Sequence, residues 1–279
     1  MQFETQNFNP CPTTIVRNMT QQVRAKKYLG QHFLKDMEIA QRIAECLPLD
    51  DRTAVLEIGP GMGVLTQFLL QNPLVDLTAV ELDSESVVYL KKHYPSLQLI
   101  EADFLQLDLQ KLFPDKFCII GNFPYNISSQ IFFKLLDYRD HVPYLAGMLQ
   151  KEVAERIAAP AGSRTYGILS VLLQAYYSID YLFTVNENVF EPPPKVKSAV
   201  IRLTRNDVTQ IGCDEKLFKT VVKTAFNQRR KTLRNSLKPL VAKDNSMYAD
   251  PLFDKRPEQL DVAAFVDLTN RIAERLTDS

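Results

Sequence analysis

The stretch that decides the fold is Val55-Leu56-Glu57-Ile58-Gly59-Pro60-Gly61-Met62-Gly63, in which a short apolar run leads into three closely spaced glycines. An apolar run of this length is typical of a buried strand, and the glycine turn lets a ligand approach the backbone before the next helix begins. The position that the dinucleotide fingerprint G-x-G-x-x-G fills with its third glycine is Val64 here. The turn therefore predicts a small-ligand site in an α/β sheet but disfavours pyrophosphate binding.

Strand and helix patterns alternate around this turn. Asp36 is a candidate N-cap for a first helix, strands are expected at 54–58, 77–80, 97–100 and 117–120, and helices at 64–71, 84–93, 105–113 and 129–138. This alternation predicts a parallel, doubly wound sheet. Further along the chain we expect a strand at 144–149, helices at 152–159 and 168–177, and a closing antiparallel pair at 181–185 and 196–203. Beyond residue 207 only helical periodicity remains.

Length and composition fit one large domain and a small one. The chain has 279 residues, of which 46% are hydrophobic and 24% charged, as in ordinary soluble proteins. We expect an N-terminal extension, flexible, at 1–22, a catalytic domain at 23–206 and a helical RNA-binding domain at 207–279. No apolar run is long enough to cross a bilayer and no signal peptide is recognisable, so we expect a cytoplasmic protein. The isolated cysteines and histidines predict neither a metal site nor a disulfide framework.

Charge is segregated along the chain although the formal net charge is zero. Residues 5–35 contain five Lys/Arg, residues 216–243 contain nine, and neither window contains Asp or Glu. Two long basic windows without acidic residues favour contact with a phosphate backbone. The alternative interpretation is that both windows form solvent-exposed surfaces that happen to lack acidic residues.

Polar side chains follow the second and third expected strands. Glu81 lies 22 residues beyond Gly59 and can accept hydrogen bonds from both hydroxyls of a ribose, while Asp103 can bind an adenine amino group. Together with the glycine turn, these positions favour an adenosine-containing cofactor without a pyrophosphate. S-adenosylmethionine fits that description.

The fourth expected strand ends in Gly121-Asn122-Phe123-Pro124-Tyr125-Asn126. Pro124 fixes its own φ and biases Phe123 towards an extended conformation, which aims the Asn122 amide and nearby carbonyls into the site. Acceptors that hold the two N–H groups of a purine amine favour the geometry in which its lone pair can attack a methyl group. The alternative interpretation of this segment is a purely structural proline turn beside an aromatic residue of the core.

Seven ordered blocks of this sequence resemble the ribosomal RNA adenine dimethyltransferases that act on the small subunit. They are Gly30-Gln31-His32-Phe33-Leu34, Glu57-Ile58-Gly59-Pro60-Gly61, Asn122-Phe123-Pro124-Tyr125-Asn126-Ile127-Ser128, Leu149-Gln150-Lys151-Glu152-Val153, Tyr166-Gly167 with Leu169-Ser170-Val171, Phe190-Glu191-Pro192-Pro193-Pro194-Lys195-Val196 and Phe226-Asn227-Gln228-Arg229-Arg230-Lys231-Thr232-Leu233. The resemblance implies an α/β, Rossmann-like, S-adenosylmethionine-dependent methyltransferase domain, mostly parallel with an antiparallel strand, followed by a small all-helical domain. It also implies dimethylation of the N6 atoms of two adjacent adenosines in the 3′-terminal hairpin loop of 16S rRNA, late in small-subunit biogenesis. We expect the protein to act as a monomer.

The same resemblance assigns site residues. It implies cofactor contacts at His32, Leu34, Gly59, Glu81, Asp103 and Asn122, and catalytic contacts at Asn122, Phe123, Pro124, Tyr125 and Phe190. Tyr125 and Phe190 would stack on opposite faces of a flipped adenine. The RNA contacts expected here are Lys195, Arg229, Arg230, Lys231, Arg234 and Lys238, of which Arg230, Arg234 and Lys238 recur every four residues as one stripe of a helix. Two positions depart from the family pattern, since His32 stands where Asn is common and Phe123 where Leu is common.

Three other functions stay open at this point. A large-subunit rRNA adenine methyltransferase of the antibiotic-resistance type shares the first four strand-end motifs. A DNA adenine methyltransferase would carry Asn-Pro-Pro-Tyr, whereas Phe123 replaces the first proline here. A non-catalytic ribosome assembly factor would use the fold only as a scaffold.

Overall fold

The structure, a computed structural model, describes residues 23–241 and 247–277, so the expected extension at 1–22 lies outside the described residues. Nine strands occur in this described part. They are β1 (Phe33–Leu34), β2 (Thr53–Ile58), β3 (Val75–Glu81), β4 (Gln98–Glu101), β5 (Phe117–Asn122), β6 (Tyr144–Gln150), β7 (Tyr177–Val185), β8 (Phe190–Glu191) and β9 (Ser198–Arg205).

Seven of these strands form one sheet in the order β4-β3-β2-β5-β6-β9-β7. The first five run parallel, whereas β9 pairs antiparallel with both β6 and β7. The two-residue strands β1 and β8 form a separate antiparallel pair. The parallel sheet and the closing antiparallel pair predicted from the sequence are both confirmed.

Ten α-helices are present in the same described ranges, together with short 3-10 turns. They are α1 (Met37–Ala44), α2 (Thr66–Leu69), α3 (Ser84–His93), α4 (Leu109–Leu112), α5 (Ser128–Asp137), α6 (Lys151–Ala158), α7 (Ile168–Gln174), α8 (Glu215–Asn227), α9 (Leu233–Ser236) and α10 (Val262–Thr277). The expected N-cap is confirmed, because the Asp36 carboxylate accepts a hydrogen bond from the backbone N–H of Ile39 at 3.1 Å. No helix of the described chain is long and apolar enough to cross a membrane.

Helices cover both faces of the sheet, which explains the continuous apolar runs in its strands. Leu56 and Ile119, neighbours in register, belong to the hydrophobic cluster on one face. The adjacent Val55 and Cys118 belong to the cluster on the other face. The carboxyl ends of β2, β3, β4 and β5 therefore meet at one edge of a sheet that is buried on both sides.

Several expected elements differ in extent from the structure, and the helix expected at 168–177 ends at Gln174. The helix expected at 64–71 is reduced to the single turn of α2, and the one expected at 105–113 is split into a 3-10 turn, Phe104–Gln106, and α4. Strand β7 begins at Tyr177, four residues before its expected start. Tyr177 pairs with Arg205 of β9, so a partner distant in sequence sets this boundary.

After β9 the described residues 206–241 and 247–277 contain helices joined by turns and bends but no strand, as expected. Its helices do not enclose a separate core. Phe226 of α8 stacks on Phe265 of α10 with ring centroids 6.0 Å apart, and both belong to the cluster that also contains Leu172 of α7. The helical region is therefore packed directly against the sheet domain.

The predicted basic helix stripe is wrong. Arg230 lies in the turn that follows α8, and Lys238 lies in the turn after α9, which is only four residues long. Two local features end the helices here: Thr232 is extended, and Lys238 precedes Pro239, which disfavours helical geometry. Arg234 is bound to Asp254, with 2.7 Å between its Nη2 and the carboxylate oxygen. Three charges spaced by four residues thus share no helix face.

Candidate functional site

A glycine turn separates β2 from α2 at the carboxyl edge of the sheet. Gly61 has φ of +57° and Gly63 has φ of +82°, conformations that favour glycine. A Cβ at Gly63 would lie 2.4 Å from the ring of Tyr94, so the close approach also requires glycine. The turn lines a pocket of the described chain together with residues that follow β3 and β5.

Glu81 is held rigidly at the end of β3. Its Oε2 accepts a hydrogen bond from the backbone N–H of Gly61 at 3.0 Å, and its Oε1 accepts from Leu82 and Asp83, each at 2.9 Å. The side chain is buried, and this burial raises the pKa of Glu81, while the three backbone donors act in the opposite direction. A carboxylate fixed in this way can accept two hydroxyl groups without reorganising.

A second carboxyl group, Glu57, lies beneath the same turn. Thr66 donates a hydrogen bond from its Oγ1 to Glu57 Oε2 at 2.7 Å. Complete burial raises the pKa of Glu57 to about 8, so this group carries a proton at neutral pH. The two neighbouring carboxyl groups therefore differ in their partners: Glu57 accepts one side-chain hydroxyl, whereas Glu81 accepts three backbone N–H groups, which favour its charged form.

Asp103 lies at the end of β4, as the sequence predicts. Its Oδ1 accepts a hydrogen bond from the backbone N–H of Leu105 at 2.9 Å and caps the following 3-10 turn. Asp103 lines the pocket. Because β3 and β2 lie between β4 and β5 in the sheet, Asp103 and the loop after β5 are on opposite sides of this pocket. The structure thus brings Gly59, Glu81, Asp103 and Asn122 into one pocket.

Asn122 is the last residue of β5, and its amide has a defined orientation. The amide nitrogen donates a hydrogen bond to the backbone carbonyl oxygen of His32 at 3.1 Å. The amide oxygen is consequently the end that remains to accept a hydrogen bond from a ligand. An exocyclic amine donates hydrogen bonds, so its binding requires an acceptor that is fixed in the pocket wall, as this amide oxygen is.

Tyr125 forms a flat wall of the pocket next to Asn122. Its hydroxyl is hydrogen-bonded to Ser198 Oγ, and burial raises the pKa of the phenol. The ring of His32 lies 5.2 Å from that of Tyr125, centroid to centroid, at an interplanar angle of 33°. Ser198 is 73 residues from Tyr125 along the chain, and no sequence pattern indicates this contact.

Phe123 and Pro124 play different parts in this loop. The Phe123 ring is 1% exposed and meets Phe132 edge to face, so only its backbone reaches the pocket. Gly147 makes room for that ring, since a Cβ there would lie 2.5 Å from it. Pro124 lies 3.5 Å from the position of a Cβ on Gly59 and closes the pocket between the two loops.

The predicted Tyr125–Phe190 sandwich is wrong for this structure. Phe190 pairs with Leu34 through β8 and β1, its side chain is 1% exposed, and it belongs to the hydrophobic cluster that includes Val200. A ring that is 1% exposed and belongs to this cluster is not accessible for stacking on a base. Tyr125 therefore stands as the aromatic wall without Phe190 opposite it.

A segment that we call the strap, residues 26–34, crosses the pocket and carries His32 and Leu34. Both residues line the pocket, and the His32 ring nitrogen Nδ1 is hydrogen-bonded to the carbonyl oxygen of Pro192 at 2.8 Å. At its start, Lys26 forms an ion pair with Asp83, the N-cap of α3. The sequence interpretation missed this pair, although the spacing of Asp83 two residues after Glu81 is a signal that could have indicated it.

The expected RNA contacts are not all free. Arg229 donates a hydrogen bond from Nη2 to the carbonyl oxygen of Arg164, and Arg234 is the partner of Asp254. The other four have exposed side chains: Lys195, Arg230, Lys231 and Lys238. Arg234 and Lys238 also line a small open depression with Tyr248. In the described part of the chain, no group of three or more His, Cys, Asp or Glu could hold a metal ion.

Comparisons with known proteins identify the family of this chain. The family model described as Ribosomal RNA adenine dimethylase matches residues 22–274. The chain is 69% identical to Ribosomal RNA small subunit methyltransferase A of Parabacteroides distasonis over 249 residues, covering 88% of this chain and 93% of the relative. It is 59% identical to the protein of the same name from Cytophaga hutchinsonii, covering 91% and 99%.

A solved structure supports the same assignment. The dimethyladenosine transferase from Plasmodium falciparum superimposes with a TM-score of 0.74 at 26% identity, covering 88% of this chain and 98% of that protein. The fold is also that of the 23S rRNA methyltransferase ErmE, with a TM-score of 0.62 at 24% identity and coverage of 84% and 99%. With its Rossmann-like sheet, its pocket and these relatives, the chain belongs to the ribosomal RNA adenine dimethylase family.

Proposed function

We propose that this protein dimethylates the N6 atoms of two adjacent adenosines in the 3′-terminal hairpin loop of 16S rRNA, with S-adenosylmethionine as the methyl donor, late in small-subunit biogenesis. The observation that carries the proposal is the orientation of Asn122. Its amide oxygen is left as an acceptor in a pocket that also holds a rigid carboxylate, Glu81. Relatives that are 58–69% identical bear the name of small-subunit rRNA methyltransferases.

The pocket suits S-adenosylmethionine by the chemistry of its donors and acceptors. Glu81 would hold the ribose hydroxyls, Asp103 the adenine amino group, and the turn at Gly59 would allow close approach of the methionine part. His32 and Leu34 would close the site from the strap. When bound, this cofactor supplies a methyl group attached to a positively charged sulfur.

The reaction then needs little proton transfer from the protein. Asn122 Oδ1 and a backbone carbonyl of the loop before Tyr125 accept the two N–H groups of the target amine, which draws its nitrogen lone pair out of conjugation with the ring. The lone pair would then be directed at the methyl group that the bound cofactor supplies, and the methylated nitrogen would release its proton to solvent. Tyr125 stacks on one face of the base and keeps the nitrogen in line.

The helical region would hold the enzyme on rRNA. Arg230, Lys231 and Lys238 are exposed in the two turns beside α9, and Lys195 is exposed after the proline run. Such cations bind phosphates and fix the register of the enzyme on its substrate, although they read little sequence. Arg229 and Arg234 would support the same surface through their bonds to Arg164 and Asp254.

Methyl transfer to defined substrates tests the proposal. Radiolabelled S-adenosylmethionine is supplied with small subunits that lack the modification, with large subunits, or with DNA. The expected result is label in small-subunit RNA only, its near-complete loss in Asn122→Ala, and no loss in Asn186→Ala, whose side chain is exposed after β7 and caps no helix.

The contrary outcomes identify the alternatives. Label in large subunits indicates the antibiotic-resistance type of enzyme, and label in DNA indicates a DNA methyltransferase. Binding to small subunits without any transfer indicates an assembly factor. Each of these results rejects the proposed substrate or activity.

A further inference from the structure

Tyr28 is exposed to an unusual degree for an aromatic residue beside a binding pocket. Among the large hydrophobic side chains that are exposed in the described chain, it has the greatest exposure, 76%, and is the only aromatic one. Isolated exposed hydrophobic residues are common on protein surfaces and need no explanation by themselves. The position and attachment of Tyr28 make it different from the others.

The backbone of Tyr28 is attached to the loop that carries Tyr125. Its carbonyl oxygen accepts a hydrogen bond from Asn126 Nδ2 at 3.2 Å. Gly30, two residues later, has φ of +65° and leaves space for Asn126, because a Cβ there would lie 2.8 Å from Asn126 Oδ1. The 3-10 turn Lys27–Leu29 is therefore fixed on the same loop as the aromatic wall of the pocket.

Tyr28 consequently lies at the rim of the pocket. The next two residues, Leu29 and Gly30, line the pocket together with Asn122 and Tyr125. Lys27, beside Tyr28 in the same turn, is exposed, and no Asp or Glu occurs between residues 5 and 35. An exposed ring next to an unneutralised cation is the arrangement by which proteins bind unpaired nucleotides.

We propose that Tyr28 is an RNA contact, in which its ring stacks on a nucleobase that adjoins the adenine entering the pocket. The inference rests on the proposed function and deepens it, since it assigns a place to a second base of the loop. A substrate with two adjacent target adenosines must hold a neighbour of the flipped base outside the pocket. An aromatic ring fixed at the rim stabilises that unstacked neighbour by stacking on it. Because every base has a flat face, such a ring can stack on any of them.

Three variants test this contact. Tyr28→Ala removes the ring but keeps the backbone bond to Asn126, Tyr28→Phe keeps the ring, and Val88→Ala removes an exposed apolar side chain elsewhere, on α3. Tyr28→Ala is expected to lower kcat/KM for small subunits by about 5-fold to 150-fold, as for loss of one base–aromatic stack. Tyr28→Phe and Val88→Ala are expected to stay near wild type, and calorimetry should give unchanged cofactor affinity for all three.

The outcomes separate this inference from the proposed function. If the wild-type protein does not methylate small subunits, the proposed function fails. If it does, and Tyr28→Ala equals it, only the role of Tyr28 is rejected. Equal defects in Tyr28→Ala and Tyr28→Phe also reject stacking, because they indicate that the hydroxyl rather than the ring makes the contact.

The identity of the partner is tested directly by cross-linking. A photoreactive phenylalanine placed at position 28 is irradiated in the complex with small subunits. The expected product is a cross-link to 16S rRNA near the methylated adenosines. A cross-link to a ribosomal protein, or no cross-link in a complex that still methylates, contradicts the proposal.

Discussion

Glu81 is held by three backbone N–H groups, which fix its carboxylate oxygens in the pocket before the ribose hydroxyls that we propose for it bind. Its replacement by Gln puts an amide group where those donors require an acceptor. We expect Glu81→Gln to weaken cofactor binding by about 10-fold to 100-fold, from the loss of roughly 1.5–3 kcal/mol of charge-assisted hydrogen bonding. Calorimetry measures the cofactor affinity, and Glu101→Gln, at the exposed end of β4, is the control. Unchanged affinity in Glu81→Gln would exclude this residue from the site.

Glu57 gives the protein a pH-dependent stability of definite sign. Its pKa is about 8 in the folded protein against 4.5 as the ordinary value, so the folded state binds the extra proton between these limits. The resulting stabilisation is present in full below pH 4.5 and is lost as the pH rises through 8, a change on the order of a few kcal/mol.

Glu57→Gln removes that dependence, because a neutral amide can still accept the hydrogen bond from Thr66. Urea unfolding between pH 5 and 9 should show the stability difference, wild type minus variant, falling as the pH rises. A difference that stays constant over this range would mean that Glu57 is not protonated in the fold.

At the scale of elements, the strap connects the two sides of the pocket. Lys26 binds Asp83, whose backbone N–H in turn donates to Glu81, and the carbonyl oxygen of His32 orients Asn122. The strap therefore contacts, directly or through Asp83, both Glu81 and Asn122, the residues that we propose hold the cofactor ribose and the target amine. It does so through ion pairs and backbone groups that leave no periodic pattern in the sequence.

The ion pair gives a prediction for this element. Lys26→Met removes the partner of a carboxylate that is almost fully buried, so we expect weaker cofactor binding and faster cofactor release than in the wild type. Lys27→Met, next to it and exposed, is the matched control. Lys26→Arg should restore binding in part. Equal dissociation rates for Lys26→Met and Lys27→Met would show that the ion pair does not position the site.

The elements predicted correctly from the sequence are those whose signals are local. Strands β2 to β5 each contain a short, mostly apolar run, and the start of α1 is indicated by a single residue, its N-cap Asp36. The start of β7 depends on pairing with β9, and α2 is a single turn although its apolar spacing suggests two. Boundaries determined by distant partners could not be inferred from local periodicity.

The same distinction holds for the site. Glu81, Asp103 and Asn122 were identified because the ends of parallel strands meet at one edge of a sheet, which is a consequence of topology. The burial of Phe190 depends on pairing between two-residue strands 156 positions apart, β1 and β8, which local sequence cannot indicate. Likewise, the predicted stripe of Arg230, Arg234 and Lys238 is wrong because Arg230 and Lys238 lie in turns, where helical spacing does not apply.

At the scale of the whole molecule, the separation of charge should determine how the enzyme binds its substrate. We expect Arg230→Gln/Lys231→Gln/Lys238→Gln to weaken binding to small subunits and to flatten the slope of log affinity against log salt by up to two or three units. Cofactor affinity should not change. Lys91→Gln/Lys92→Gln, exposed at the end of α3, is the control. If the salt dependence of binding is the same for the triple variant and the wild type, these three residues do not bind the RNA.

We propose that Asn122, oriented by the carbonyl of His32, presents an acceptor to an adenosine amine of 16S rRNA. Mass spectrometry of nucleosides from small subunits incubated with excess methyl donor tests this role. We expect N6,N6-dimethyladenosine at two adjacent positions of the 3′-terminal hairpin loop with the wild-type protein, and at neither position with Asn122→Ala. Methylation at another atom or in another RNA, or an unchanged yield in Asn122→Ala, would contradict it.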